Sequence, residues 1–343
     1  MARPTNPFSL PELGAEILRP AAPRKAHQPA FSVDRARLLR VASRVPEVVI
    51  KVKHRGAKAA GLGAHFSYIT RGGKLEAENE RGEKIIGKAA VAALREDWAA
   101  DAGSRRWGRG QVPTLNVIFS MPPGTNPERL QDAVKAFARE AYGNHQYLVA
   151  LHTDEKHPHC HVCVKKFGFD GQMLAPDRSD LQLWREQYAA LLRERGIAAE
   201  ATPRRARGVV RKAERRPERG YRNRGEVSQA RRARVEAAAE VLKGKAAPHP
   251  AEGRAHARQA VIRQSWQQLA ERLSASADRE DQALGRAVAD FLGQMPPAKT
   301  ESEVNREKLA AVLKTMQATK RPGIDGPSRS PATPGRDRGG PER

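Results

Sequence analysis

The stretch YLVALHTDEKHPHCHVCVKK, residues 147–166, holds four of the ten histidines of this 343-residue chain within ten positions. Two apolar runs flank a polar connection over 153–158, which reads as a hairpin of two antiparallel strands. Side chains alternate faces along a strand. His159, His161 and Cys163 therefore share one face, while Cys160, Val162 and Val164 share the other and look like core. On the first strand Leu148, Ala150 and His152 lie on one face. If His152 pairs with His159, the imidazoles of His152, His159 and His161 project from one side of the sheet. Three neutral imidazoles so placed leave open positions for a divalent ion and its substrate. Asp154, two residues on, can accept a proton from the far ring nitrogen of a ligand and fix its tautomer.

Two plainer readings stand beside this one. Histidines are common in polar loops, and a structural zinc site could use Cys160 and Cys163. Alternation puts those cysteines on opposite faces, which counts against the zinc site. His157 falls in the turn, a position that suits contact with solvent or DNA.

The formal charge of +23 and pI near 10.6 argue for a polyanionic partner, most often nucleic acid. Charge alone would also suit a ribosomal, chromatin or membrane-surface protein. Hydrophobic residues are 39% and aromatics 5%, so a compact core covers only part of the chain. No apolar run approaches the roughly 18–20 residues of a membrane span, and no signal-peptide core opens the chain. The two cysteines, Cys160 and Cys163, make no disulfide framework, which fits a reducing cytoplasm.

Outward from the hairpin, residues 1–44 read as a flexible arm with a short helix near 33–41. Period-two alternation of Val48, Ile50 and Val52 makes 46–56 a strand. A helix fits 57–73, with Leu62, Phe66 and Ile69 as its apolar stripe and Gly72-Gly73 as its stop. A second helix fits 85–102, and a strand opens 113–126. Asn126 caps the next helix, with Pro127 in its first position and Gly143 at its end. A further helix over 178–195 buries Leu181, Trp184, Tyr188 and Leu191 or Leu192. After about residue 200 the chain turns arginine-rich. Helical stretches follow at 226–244, 252–293 and 302–318, and 319–343 reads as a disordered tail. The expected fold is α+β: an antiparallel sheet flanked by helices over 45–200, then a basic helical region over 201–318.

The stretch HTDEKHPHCHVCV, from His152 to Val164, resembles the third motif of conjugative DNA relaxases. These are the plasmid and T-DNA mobilisation endonucleases (MOBP-like) of the HUH superfamily, here with Cys160 between the two histidines. The resemblance spans about 46–200. AHFSYITRGG resembles the first relaxase motif and makes Tyr68 the expected nucleophile, with Arg71 holding a phosphate. NVIFSMPPGTN resembles the second motif, in which Ser120 contacts DNA near the nick. The resemblance implies a metal-dependent enzyme, with Mg2+ or Mn2+ on His152, His159 and His161. It nicks and rejoins one DNA strand at a transfer origin through a 5′-phosphotyrosine. Asp154 orients His152 or helps take the phenolic proton. The implied partners are single-stranded and duplex DNA, accessory relaxosome proteins and a type IV secretion coupling protein.

Two other readings remain open at this stage. Replication initiators and transposases of the same superfamily place the tyrosine after the histidine pair, and Tyr188 in LQLWREQYAALLRERG is so placed. A basic nucleic-acid-binding protein with a structural metal would be no enzyme at all.

Overall fold

A computed structural model describes residues 34–55, 59–100, 113–211, 214 and 216–319. The expected arm over 1–33 and most of the expected tail, 320–343, lie outside the described residues. The rest divides into two compact units. One contains the chain up to Val210 together with His256–Ala298, and the other contains Arg211–Ala255 with the segment from Lys299 onward.

The first unit is built on a six-stranded antiparallel sheet. Its strands are β1 (Val49–Arg55), β2 (Ala77–Asn79), β3 (Lys84–Ile85), β4 (Thr114–Ser120), β5 (Tyr147–His152) and β6 (His159–Lys165), in the order β1-β4-β6-β5-β2-β3. The hairpin register pairs His152 with His159 and Ala150 with His161. The expected α+β class and antiparallel sheet are present.

Each face of the sheet is covered according to its alternation. Ile50, Leu115, Val117, Phe119, Val149, Cys160, Val162 and Val164 form one face of the main core. Helices α4 (Pro127–Tyr142) and α5 (Arg178–Glu194) close it with Leu130, Val134, Phe137, Trp184, Tyr188 and Leu192. The Asn126 side chain accepts from Arg129 N and Pro127 follows it, so α4 starts where the capping chemistry indicates. Asp177 and Asp180 form a capping box on α5. The opposite face carries Leu148, Ala150, Cys163 and Ala77. Helices α2 (Ala59–Ile69) and α3 (Lys88–Ala100) cover it through Leu62, Phe66, Ile69, Leu94 and Trp98. Cys160 and Cys163 thus belong to different cores, as alternation requires.

Besides the short strands β2 and β3, the chain departs from the expected organisation in three places. Helix α2 ends at Ile69 instead of running to 73. Thr70 Oγ1 donates to Phe66 O and accepts from Gly73 N, turning the chain within one residue of the last helical turn. The expected stretch over 252–293 is two helices, α8 (Ala251–Ser274) and α9 (Arg279–Gly293), because Asp278 caps a new start.

The third departure concerns the arm and the boundary at 200. Residues Arg35–Ala42 form helix α1, and its Leu38 and Val41 pack with Ala206, Trp266, Leu269, Leu284, Val288 and Phe291 in a second core. Arg35 donates to Asp281 of α9, Arg37 to Glu186 of α5, and Arg40 to the buried Glu200. Contacts therefore draw residues on both sides of position 200 into one unit. In the second unit, α6 (Arg216–Asn223), α7 (Gln229–Leu242) and α10 (Glu301–Thr319) are tied by Arg234, which meets both Glu218 and Glu301. None of the described helices is long and apolar enough to cross a membrane.

Candidate active site

Three strands and one helix end converge at the edge of the α2-covered face. His152 is the last residue of β5, and His159 opens β6 opposite it. His161 follows on the same side, and Ser120 pairs across from His159 at the end of β4. The imidazoles of His152, His159 and His161 offer ligand atoms that all lie within 4.8 Å of one another. Ring centroids are 4.6 Å apart for His152 and His161, and 5.1 and 5.2 Å for the other two pairs.

The donor set fits a divalent ion. His161 is 2% exposed, and among the described residues neither of its ring nitrogens has a hydrogen-bond partner. A buried imidazole without a protein partner is costly unless something else takes its lone pair. Ile69 O lies 2.7 Å from His152 Nε2; a carbonyl only accepts, so Nε2 carries the proton, and the Nδ1 lone pair faces Arg71 Nη2 at 3.1 Å, a contact that an ion bound at Nδ1 would replace. In the same way His157 O accepts from His159 Nδ1 at 3.0 Å, leaving His159 Nε2 as the bare nitrogen. Burial, helped by the neighbouring imidazoles and Arg71, pushes the His161 pKa down to about 3. Burial also lowers that of His152. Both stay neutral near pH 7, the form that binds metal.

Tyr68 stands on the last turn of α2 beside this cluster. It is 40% exposed, with its ring centroid 5.5 Å from that of His161 and 6.1 Å from that of His152. His65, one turn earlier, is buried and close enough to His161 to oppose its protonation. Arg71 is not a helical neighbour of Tyr68. It follows the end of α2 with φ 53°, in the left-handed region. From there its guanidinium folds back, donating to Tyr68 O at 3.1 Å and lying 5.0 Å from the centre of the Tyr68 ring.

Asp154 differs from expectation. Its hydrogen bonds go to Arg71, at 2.6 Å from Nη2 and 3.1 Å from Nε, and not to His152. The Arg71 contact holds its carboxyl below the usual carboxylate range. The carbonyl of Ile69 orients His152 instead, a backbone role with no signature in residue type. His157 is exposed in the connection, with its carbonyl on His159. The alternative nucleophile is placed elsewhere. Tyr188 is fully buried between α5 and the sheet, 5.1 Å from Phe119, and burial raises its pKa well above 10.0.

One further contact fixes the Tyr68–Arg71 turn. Gly73 has φ 84°, and a Cβ there would come within 2.6 Å of Gly87 C and 2.7 Å of Lys88 N at the start of α3. Gly87 N donates to Gly73 O. The turn is thereby clamped, backbone to backbone, against the next helix.

The relaxase family described as "MobA/VirD2-like, nuclease domain" matches residues 68–197, a span that opens on Tyr68 and contains all three histidines. The T-DNA border endonuclease VirD2 of Rhizobium radiobacter is 30% identical over 163 residues, covering 42% of this chain and 38% of that protein. The protein of the same name from Agrobacterium fabrum is 29% identical, over 42% of this chain and 36% of that one. The chain thus spans less than two fifths of the length of these relatives. A solved structure titled "Molecular Basis of Vancomycin Resistance Transfer in Staphylococcus aureus" aligns over 46% of this chain and 99% of that one. Its TM-score of 0.34 at 12% identity is too low to carry a fold assignment. Over residues 68–197, then, the chain is similar to the MobA/VirD2-like relaxase nuclease domain.

Proposed function

We propose that the protein nicks and rejoins one DNA strand at a transfer origin, with Tyr68 as nucleophile, and so initiates conjugative transfer or mobilisation. The observation that carries this reading is the exposed Tyr68 ring 5.5 Å from His161, within a set of three histidines whose ligand atoms lie inside 4.8 Å. The Tyr68 oxygen attacks phosphorus in line, the bond to the 3′ oxygen breaks, the phenolic proton leaves to solvent, and the departing 3′ oxygen takes a proton from solvent. The products are a 5′-phosphotyrosyl bond and a free 3′ hydroxyl. Phosphodiester energy is retained in that bond, so the reaction reverses to rejoin strands.

His152, His159 and His161 would hold a divalent ion, Mg2+ or Mn2+ by the family's chemistry. Bound there, it supplies Lewis-acid stabilisation of charge developing on the phosphate oxygens. Arg71, which meets His152, Ser120, which pairs with His159, and His157, whose carbonyl meets His159, would contact the DNA strand. The Arg-rich segment after residue 200 suits phosphate contact with duplex DNA. Relaxosome accessory proteins and a type IV secretion coupling protein are the partners this function needs, in the cytoplasm where the DNA is.

The test is cleavage of a single-stranded oligonucleotide from the element's own transfer region, with Mn2+ or with chelator. Wild type should form a protein–DNA adduct with the ion only, and Tyr68→Phe should form none while still binding the oligonucleotide. Cleavage that persists in Tyr68→Phe and vanishes in a folded Tyr188→Phe would favour an initiator-type enzyme. Tight binding with no nicking of any substrate would favour a non-enzymatic binding protein.

A further inference from the structure

Arg71 has five N–H donors, and four are engaged. Nε and one Nη2 hydrogen meet Asp154 Oδ2, Nη1 meets Tyr68 O, and Nη2 also lies 3.1 Å from His152 Nδ1. The Arg71 Cζ lies over the Tyr68 ring, 5.0 Å from the centroid. A non-glycine residue at φ 53° is uncommon and persists where its surroundings over-determine it. Here the surroundings are the Thr70–Gly73 turn and the Gly73–Gly87 contact on one side, and Asp154 on the other. His152 is already oriented through its other nitrogen by Ile69 O.

We propose that Asp154 is a positioning residue that acts through Arg71, fixing the guanidinium that seats the Tyr68 ring. It neither orients a histidine nor receives the phenolic proton. This inference rests on the reading of Tyr68 as the nucleophile. In it, Asp154 and Arg71 work as one unit. Loss of either frees the tyrosine ring to turn away from the phosphorus.

The test uses the full chain and the transfer-region oligonucleotide. Adduct formation is timed in wild type, Arg71→Ala, Asp154→Ala and the double variant, at saturating and limiting DNA. Asp154→Ala should lower the maximal rate about ten- to a hundredfold, the order expected of a misplaced reactive group. The half-saturating DNA concentration should move far less. The double variant should be no slower than Arg71→Ala, because residues acting as a unit are not additive. Mn2+ affinity by calorimetry should stay within about threefold in Asp154→Asn, whereas losing the partner of a ligating histidine costs roughly 10–100-fold. Multiplying rate losses in the double variant, or a tenfold or larger drop in Mn2+ affinity, would overturn the proposal. An adduct that forms on Tyr68→Phe would overturn the nucleophile assignment itself and the proposal with it. Asp154 has a side chain 54% exposed, so its variants should fold, which a thermal melt checks.

Discussion

Tyr68 and Tyr188 are the same side chain in opposite surroundings. Tyr68 is 40% exposed beside three imidazoles, and Tyr188 is sealed under Phe119 with its hydroxyl buried. Sequence separated them on two grounds. The stripe of Trp184, Tyr188 and Leu191 or Leu192 marks a buried helix face, and the resemblance of AHFSYITRGG to the first relaxase motif singles out Tyr68. The three histidines were legible for a similar reason, since period two in β5 and β6 dictates a common face once His152 and His159 pair. The partner of Asp154 was not legible, because Arg71 lies 83 positions away and reaches it only through a left-handed backbone. His161 offers a direct check at this scale. Both its ring nitrogens lack partners among the described residues, so His161→Ala should cost the metal-free fold at most about 1–2 kcal/mol from the small cavity. Mn2+ binding should nonetheless fall at least as far as loss of an outer partner would bring it, about 10–100-fold. Paired calorimetry and urea unfolding separate the two, and unchanged Mn2+ affinity would remove His161 from the ligand set.

Among the elements, strands with alternating apolar residues and helices with capping chemistry were readable from sequence. Strands β2 and β3 were not. Ala77–Asn79 and Lys84–Ile85 are too short and polar to show a period, and β2 exists because Ala77 pairs with Ala150 and Asn79 with Leu148. The end of α2 was misplaced because Thr70, a tolerable helix residue, spends its hydroxyl on closing the turn. Two adjacent glycines in that turn have different duties. Gly72 has φ 70° with open space around it, whereas a Cβ on Gly73 would overlap the backbone of Gly87 and Lys88. Gly72→Ala should therefore cost only the left-handed penalty, about 1–2 kcal/mol. Gly73→Ala should add overpacking, for a total of about 2–4 kcal/mol, and should slow adduct formation by displacing Arg71. Equal losses in the two variants, measured by denaturant unfolding, would show that the contact with α3 does not matter.

Across the whole molecule, composition placed a boundary near residue 200, where the chain turns arginine-rich. Packing ignores it. The apolar residues of α8 and α9 look from sequence like those of any amphipathic helix. Their partners sit on α1, with the Arg35–Asp281 pair separated by 246 positions. Trp266 is fully buried and its indole donates to Ala206 O, so Trp266→Ala should cost about 3–5 kcal/mol. A chain ended near 200 would strand Leu38 and Val41 without their partners, and should melt lower than one ended at 298; equal melting would show the second core to be dispensable. The central claim concerns the covalent product, and one measurement reaches it most directly: nicked DNA is digested with trypsin and the peptide left on it is sequenced by mass spectrometry. Cleavage after Lys58 and Arg71 isolates residues 59–71, in which Tyr68 is the only tyrosine. That peptide should be found on the 5′ end, with the 3′ hydroxyl free. A 3′-linked peptide, or a 5′-linked peptide carrying Tyr188, would contradict the account.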